Sequence, residues 1–210
     1  MTGAELLPWV FSSGWASGVN PYMVVLLTGV FGRLGADGVP AALTRTDVLV
    51  AAAVLVAVDA VADKIPYVDS VWDAVHTVVR PAAGAAVGAL LAGEAGSLDQ
   101  ALAGTVGGVS ALASHAVKAG LRAAVNTSPE PASNVAVSTA EDVAVAGVVG
   151  LAVVHPVAAA VVAGLLLVAG GTLVVVLLRR IRRLRRRWAR PHRRAGPGGR
   201  AGGAPLDSGR

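Results

Sequence analysis

Residues 157–178 read VAAAVVAGLLLVAGGTLVVVLL and are followed directly by RRIRRLRRRW at residues 179–188. An α-helix rises about 1.5 Å per residue, so an apolar run of this length matches the roughly 30 Å hydrocarbon core of a bilayer. Arginines that flank a transmembrane helix favour the cytoplasmic side. The stretch therefore predicts a last transmembrane helix with a cytoplasmic C-terminus, in the plasma or inner membrane of the cell.

The composition of the whole chain agrees with a membrane protein. Its 210 residues are 54% hydrophobic and 15% charged, whereas soluble domains carry about 25% charged residues. The chain has no cysteine, which excludes a disulfide scaffold, cysteine zinc sites and iron–sulfur clusters. An ordinary soluble enzyme and a disordered chain are both poor descriptions of this composition.

The charge is distributed unevenly along the chain. Residues 1–178 contain six basic and twelve acidic side chains, whereas residues 179–210 contain twelve arginines and one aspartate. We therefore expect a transmembrane helical domain over 1–178 and a disordered, arginine-rich cytoplasmic tail over 179–210. The expected partners are the lipid bilayer and, for the tail, anionic lipids. Nucleic acid is not expected, because no groove-reading module accompanies the arginines, and a homo-oligomer is left open.

Apolar runs and helix breakers predict an all-α fold, a polytopic membrane helix bundle of about six spans. The first span contains a break at Ser17–Tyr22, since Pro21 cannot continue a helix, and a re-entrant first segment is the alternative. Spaced glycines predict three close helix contacts, at 84/88, 104/108 and 147/150. The expected apolar segments are 5–34, 47–64, 71–93, 98–122, 134–154 and 157–178.

Ionisable residues are rare within membrane helices and usually face a cavity or a partner. One cluster of them lies between residues 59 and 80. Asp59 and Asp63 are one helical turn apart, and Asp73, His76 and Arg80 share one face of an amphipathic segment. This segment either lies flat at the cytoplasmic interface with its charges in water, or turns its polar stripe into a cavity.

A second cluster begins with His115, Lys118 and Arg122, which share a helix face, and continues through a proline-stiffened loop. This combination predicts a site for an anionic headgroup or phosphate; a plain cytoplasmic connector is the alternative. Glu141 and Asp142 lie near the surface if their helix begins at Ser138, which has capping-box spacing to Glu141. They lie within the bilayer if the helix begins at Asn134.

Three motifs in these clusters resemble the DUF4126 family of multi-pass membrane proteins. They are the start SGxNxY at 17–22, the stretch DKIPYVDSVWD at 63–73, and SHAxKAGxR at 114–122 leading to NxSPEPxSN at 126–134. The resemblance covers roughly residues 12–178 and excludes the arginine tail. It implies membrane residence and implies no activity, because the function of the family is unknown.

The favoured function is a small transporter or lipid-headgroup translocase for an anionic substrate. The alternative is a structural or scaffold protein whose basic tail binds anionic lipid. No catalytic motif or metal-ligand spacing is present, so no catalytic residue, metal or cofactor is expected; an enzyme that uses Asp73, His76 or His115 is a third reading. The candidate substrate-binding residues are Asn20, His115, Lys118, Arg122, Asn126, Glu130 and Asn134. The candidates for proton or cation exchange, or for structural pairing, are Asp59, Asp63, Asp69, Asp73, Arg80, Glu141 and Asp142.

Overall fold

A computed structural model describes residues 3–65, 67–93, 96–125 and 131–188. These ranges form seven α-helices and one short 3₁₀ turn at Ala41–Thr44, and they contain no β-strand, which confirms the all-α prediction. The helices are α1 (Gly3–Val19), α2 (Pro21–Arg33), α3 (Thr46–Ala62), α4 (Val68–Leu91), α5 (Ser97–Val125), α6 (Pro131–Val154) and α7 (Pro156–Trp188).

Three of the helices are long and apolar enough to cross a membrane. These segments are Ser70–Leu91, Val135–Val154 and Pro156–Arg183, and Pro21–Arg33 is apolar but shorter. The α7 segment is almost entirely unburied, since only 6% of its most apolar 18-residue stretch is buried inside the protein. Lipid is the environment in which such a surface is stable. The six crossings remain a prediction.

The first apolar segment is divided into two helices at Asn20, as its sequence predicts. Helix α1 ends at Val19, and Pro21 occupies the first turn of α2, where its missing N–H costs no hydrogen bond. The Asn20 side chain accepts a hydrogen bond from the Met23 backbone N–H at 3.0 Å. Asn20 is therefore the N-cap of α2.

The structure decides between the alternatives for residues 68–80 and moves two helix boundaries. Of the two alternatives for residues 68–80, the segment with its charges in water is wrong. These residues are the first half of α4, which continues through Pro81, and their polar stripe of Asp73, His76 and Arg80 is buried. Helix α6 begins at Pro131, before either predicted start, so Ser138 is buried inside it and caps nothing. Helix α7 extends to Trp188, ten residues into the segment predicted as a tail.

Helices α1, α4 and α5 pack closely through glycines. A Cβ atom at Gly84 would lie 2.7 Å from the Gly107 carbonyl oxygen, and one at Gly88 would lie 2.5 Å from that of Ala103. A Cβ atom at Gly18 would meet the Ala111 carbonyl on α5. The predicted contact at 147/150 is not a close one: a Cβ at 147 would have no neighbour within 4 Å, and one at 150 would lie 3.8 Å from the Phe31 ring. The tight packing places α5 against both α1 and α4.

Candidate functional site

Helix α5 turns its basic face into the bundle. His115, Lys118 and Arg122 are 2%, 3% and 1% exposed, although each can be charged. Their spacing of three and four residues places them on one face, and the glycine contacts with α1 and α4 hold that face inward. These three side chains do not form one cationic stripe, because they interact with two different groups of partners.

Lys118 and Arg122 belong to the first group, together with Asp63 and Glu141; we call these four residues the Lys118 cluster. Lys118 Nζ lies 2.5 Å from Asp63 Oδ2 and 3.5 Å from Glu141 Oε2. Arg122 Nη2 lies 3.4 Å from Asp63 Oδ2 and 3.1 Å from Glu141 Oε2. Each carboxylate therefore bridges both cations, and the formal charges of the four groups cancel.

Local structure brings the two carboxylates of the Lys118 cluster to α5. Asp63 is the C-cap of α3, just before the turn that leads into α4, and its carbonyl oxygen accepts a hydrogen bond from Arg122 Nη1 at 2.7 Å. The turn ends at Tyr67, whose φ of 73° is in the left-handed region that few side chains adopt. Glu141 arrives from α6. The cluster thus joins α3, α5 and α6.

The second group surrounds Arg80, and we call it the Arg80 cluster. Its members are Tyr22, Asp59, Trp72, Asp73, His76, Thr77, Arg80 and His115. Arg80 is fully buried. Its Nη1 lies 2.8 Å from Asp73 Oδ1, and its Nη2 lies 3.6 Å from Asp59 Oδ1. Trp72 Nε1 also donates to Asp59 Oδ1 at 2.6 Å. Two carboxylates therefore face one guanidinium.

Two imidazoles extend the Arg80 cluster. His76 Nδ1 lies 2.8 Å from the Trp72 carbonyl oxygen, so this nitrogen carries a proton, and the Tyr22 hydroxyl lies 2.8 Å from Nε2. His115 Nδ1 lies 3.1 Å from Arg80 Nη1, which can only donate, so here Nε2 carries the proton. His115 Nε2 lies 3.1 Å from Thr77 Oγ1. With the Tyr22 hydroxyl donating to His76 Nε2, both imidazoles are neutral and they have opposite tautomers.

Two cavities reach these clusters from different sides of α5. A groove of about 440 Å³ runs between α1, α5, α6 and α7. Its lining is mainly apolar, including Trp15, Leu166 and Leu173, and the charged side chains among its described lining residues are Lys118 and Glu141. We call it the lateral groove. A cleft of about 240 Å³ between α4 and α5 is lined by Asp73, Thr77, Ala119 and Arg122, among others; we call it the α4–α5 cleft.

The structure brings most of the predicted site residues together, but with unexpected partners. Asp59 and Asp63, predicted as neighbours on one face, bind different cations. Asp142 is half-buried and interacts electrostatically with Lys64 and Lys118. Asn20 is buried and caps a helix. Asn126 and Glu130 lie outside the described residues, and the side chains of Asp69 and Asn134, although their backbone is helical, are not described.

Sequence reasoning missed the neutral polar groups of the Arg80 cluster. Tyr22, Trp72 and Thr77 are ordinary residues at a helix break or on an amphipathic helix, and only contacts between helices give them roles. Trp72 and His76 lie one turn apart on α4 with ring centroids 4.5 Å apart, a spacing that was visible in the sequence. The carbonyl of Val19, which accepts from Lys118 Nζ at 3.2 Å, has no signal in the sequence.

The fold and these clusters define, over the described residues, an all-helical protein with helices suited to a membrane and with buried ion pairs between its helices. A model of the DUF4126 family, described as a domain of unknown function, matches residues 7–178. The chain therefore belongs to this family, which confirms the resemblance of its motifs. No curated protein and no solved structure matches the chain.

Proposed function

We propose that this protein is a membrane transporter or translocase for an anionic amphiphile, with the lateral groove as its binding site. The observation that carries the proposal is the position of Lys118 and Glu141 on the wall of a groove that is otherwise mainly apolar. An apolar chain fits the leucine-lined part, and an anionic headgroup fits the charged end. Binding sites generally combine apolar walls with a few polar groups that fix orientation.

Glu141 acts as an internal substitute for the headgroup in this mechanism. Its carboxylate lies 3.1 Å from Arg122 Nη2 and 3.5 Å from Lys118 Nζ, so both cations are neutralised in the resting protein. An incoming anion displaces Glu141 from Lys118, the cation that lines the groove. Glu141 then takes up a proton, which keeps the site neutral. Asp63 stays with Lys118, because it does not line the groove. Anion movement is thereby coupled to proton movement.

The test uses the full chain in proteoliposomes with a short-chain fluorescent phosphatidic acid as the probe. Transfer between leaflets is followed by quenching of the outer leaflet. We expect Leu166→Trp to fill the groove and slow transfer at least tenfold. Leu165→Trp is the matched control, since Leu165 is 66% exposed and does not line the groove; it should transfer at the wild-type rate.

Glu141→Gln separates coupling from binding. It removes the competing carboxylate charge, so the probe should bind more tightly, and transfer should lose its dependence on a proton gradient. Equal transfer by wild type, Leu166→Trp and Lys118→Met would contradict the proposal. A fluorescent phosphatidylcholine, which is zwitterionic, controls for leakage.

The second candidate is a scaffold protein, and the mutual pairing of the buried charges favours it. The charges of the Lys118 cluster neutralise one another, as those of a structural clamp would. A scaffold predicts no probe transfer by the wild-type protein. It also predicts that replacing the arginines of residues 179–190 by glutamine removes binding to anionic lipid and leaves the bundle unchanged.

A further inference from the structure

The Arg80 cluster takes no part in the proposed transport step, and its residues do not line the lateral groove. Its charged side chains are nevertheless deeply buried. Asp59, Asp73 and Arg80 are 1%, 5% and 0% exposed, and they come from α3 and α4. The free-energy cost of burying such a group of charges depends on whether the charges cancel.

The formal charges of the Arg80 cluster do not cancel. Asp59 and Asp73 together carry two negative charges if both are ionised, and Arg80 supplies one positive charge. The other groups facing them are Tyr22 from α2, His76 from α4 and His115 from α5. His115 is neutral, because its Nδ1 accepts from Arg80, and His76 is neutral when its Nε2 accepts from the Tyr22 hydroxyl. With both imidazoles neutral, one negative charge remains.

The neighbouring cations do not remove this excess. Arg122 interacts electrostatically with Asp73, and Lys118 with His115. Both cations are matched by Asp63 and Glu141, which they contact directly. An uncompensated charge in a buried environment is strongly unfavourable, and ionisable groups respond by taking up a proton.

The hydrogen bonds indicate where such a proton resides. His115 Nδ1 faces an Arg80 N–H group and cannot carry one. Asp59 Oδ2 and Asp73 Oδ2, in contrast, are buried oxygens that make no hydrogen bond within the described part of the chain. Asp73 also lines the α4–α5 cleft, whereas Asp59 does not.

We propose that the Asp59–Asp73 pair is a proton-binding site that shares one proton and exchanges it with water through the α4–α5 cleft. The proton moves between a water molecule in the cleft and the Asp73 carboxylate, and no other bond changes. This site is separate from the lateral groove, and it stands whether or not the groove binds an amphiphile.

Infrared spectroscopy of the purified full chain tests the site directly. A protonated carboxyl group has a C=O stretch apart from the carboxylate bands, and carbon-13 labelling of the aspartate carboxyl groups separates it from glutamate. We expect the labelled wild type to show one such aspartate band at pH 7. Asp73→Asn and Asp59→Asn should each remove it, because the remaining carboxylate is then matched by Arg80. Asp47→Asn, at an exposed position, should leave it unchanged.

Several results would overturn the proposal. They are the absence of the band in wild type, its survival in both variants, an imidazolium signal from His76 in nitrogen-15 NMR, or a sodium- or potassium-dependent stabilisation that Asp73→Asn abolishes. Even if a variant fails to fold, the wild-type spectrum alone shows whether a protonated aspartate is present. The route is tested by moving the protein into D₂O and following the shift of the band as the carboxyl proton is replaced by deuterium. Ala119→Leu narrows the cleft and should slow this replacement at least tenfold. An unchanged rate would contradict entry of the proton through the cleft.

Discussion

Lys118 Nζ lies 2.5 Å from Asp63 Oδ2 and also donates to the carbonyl oxygen of Val19 at 3.2 Å. One ammonium group on α5 thus connects the C-cap of α3 with the last residue of α1. Both charged side chains are almost fully buried. The contact therefore holds three helices together at the position where the first apolar segment breaks. The same lysine belongs to the candidate site.

Breaking this pair from one side should destabilise the protein strongly. Lys118→Met leaves Asp63 buried near one remaining cation, and loss of one partner of a buried pair costs about 3–5 kcal/mol. The double variant Lys118→Met/Asp63→Asn removes both charges and should recover at least half of the loss. Thermal unfolding in detergent measures the effect.

The matched control for this pair is the exposed ion pair Arg45–Asp47, at 2.7 Å with both side chains about two-thirds exposed. Arg45→Gln should leave the unfolding temperature unchanged, because surface ion pairs contribute little. If Lys118→Met unfolds at the wild-type temperature, Lys118 is not part of a stabilising pair.

Substitutions of glycine should separate close helix contacts from open positions. Gly88→Val places a side chain against the Ala103 carbonyl, and backbone cannot yield as a flexible side chain can. Overpacking typically costs about 1–3 kcal/mol, so a large drop in unfolding temperature is expected. A Cβ atom at Gly147 would have no neighbour within 4 Å, so Gly147→Val should be tolerated. Equal effects at the two positions would show that α4 and α5 are not in close contact.

The sequence predicted the helical class, the break at Asn20 and the end of α6 at Val154, because each depends on local chemistry: an apolar run or a proline. It also identified Lys118, Arg122, Asp63 and Asp73 as unusual charges within an apolar chain. It could not predict which acidic side chain pairs with which basic one. Asp59 and Asp63 are four residues apart, yet one contacts Arg80 on α4 and the other Lys118 on α5, since pairing depends on how helices distant in sequence pack.

The hydrogen bond from the Met23 N–H to Asn20 Oδ1 should be replaceable by another capping residue. Asn20→Ala removes it and should cost about 1 kcal/mol. Asn20→Ser keeps an oxygen that can accept from the same N–H, so its stability should lie between those of Asn20→Ala and wild type. Circular dichroism during heating measures both variants. A Ser variant less stable than the Ala variant would mean that the role of Asn20 is not capping.

The opposite tautomers of His76 and His115 give a spectroscopic test of the Arg80 cluster. In nitrogen-15 NMR of histidine-labelled protein, His76 should be protonated at Nδ1 and His115 at Nε2, because their partners are the Trp72 carbonyl and an Arg80 N–H group. Tyr22→Phe removes the hydroxyl next to His76 Nε2 and should shift that nitrogen alone, with a loss of about 1 kcal/mol in stability. Thr77→Val should shift only His115 Nε2. If both imidazoles have the same tautomer, or if Tyr22→Phe alters the His115 signals as much as those of His76, the two rings do not have the separate partners described here.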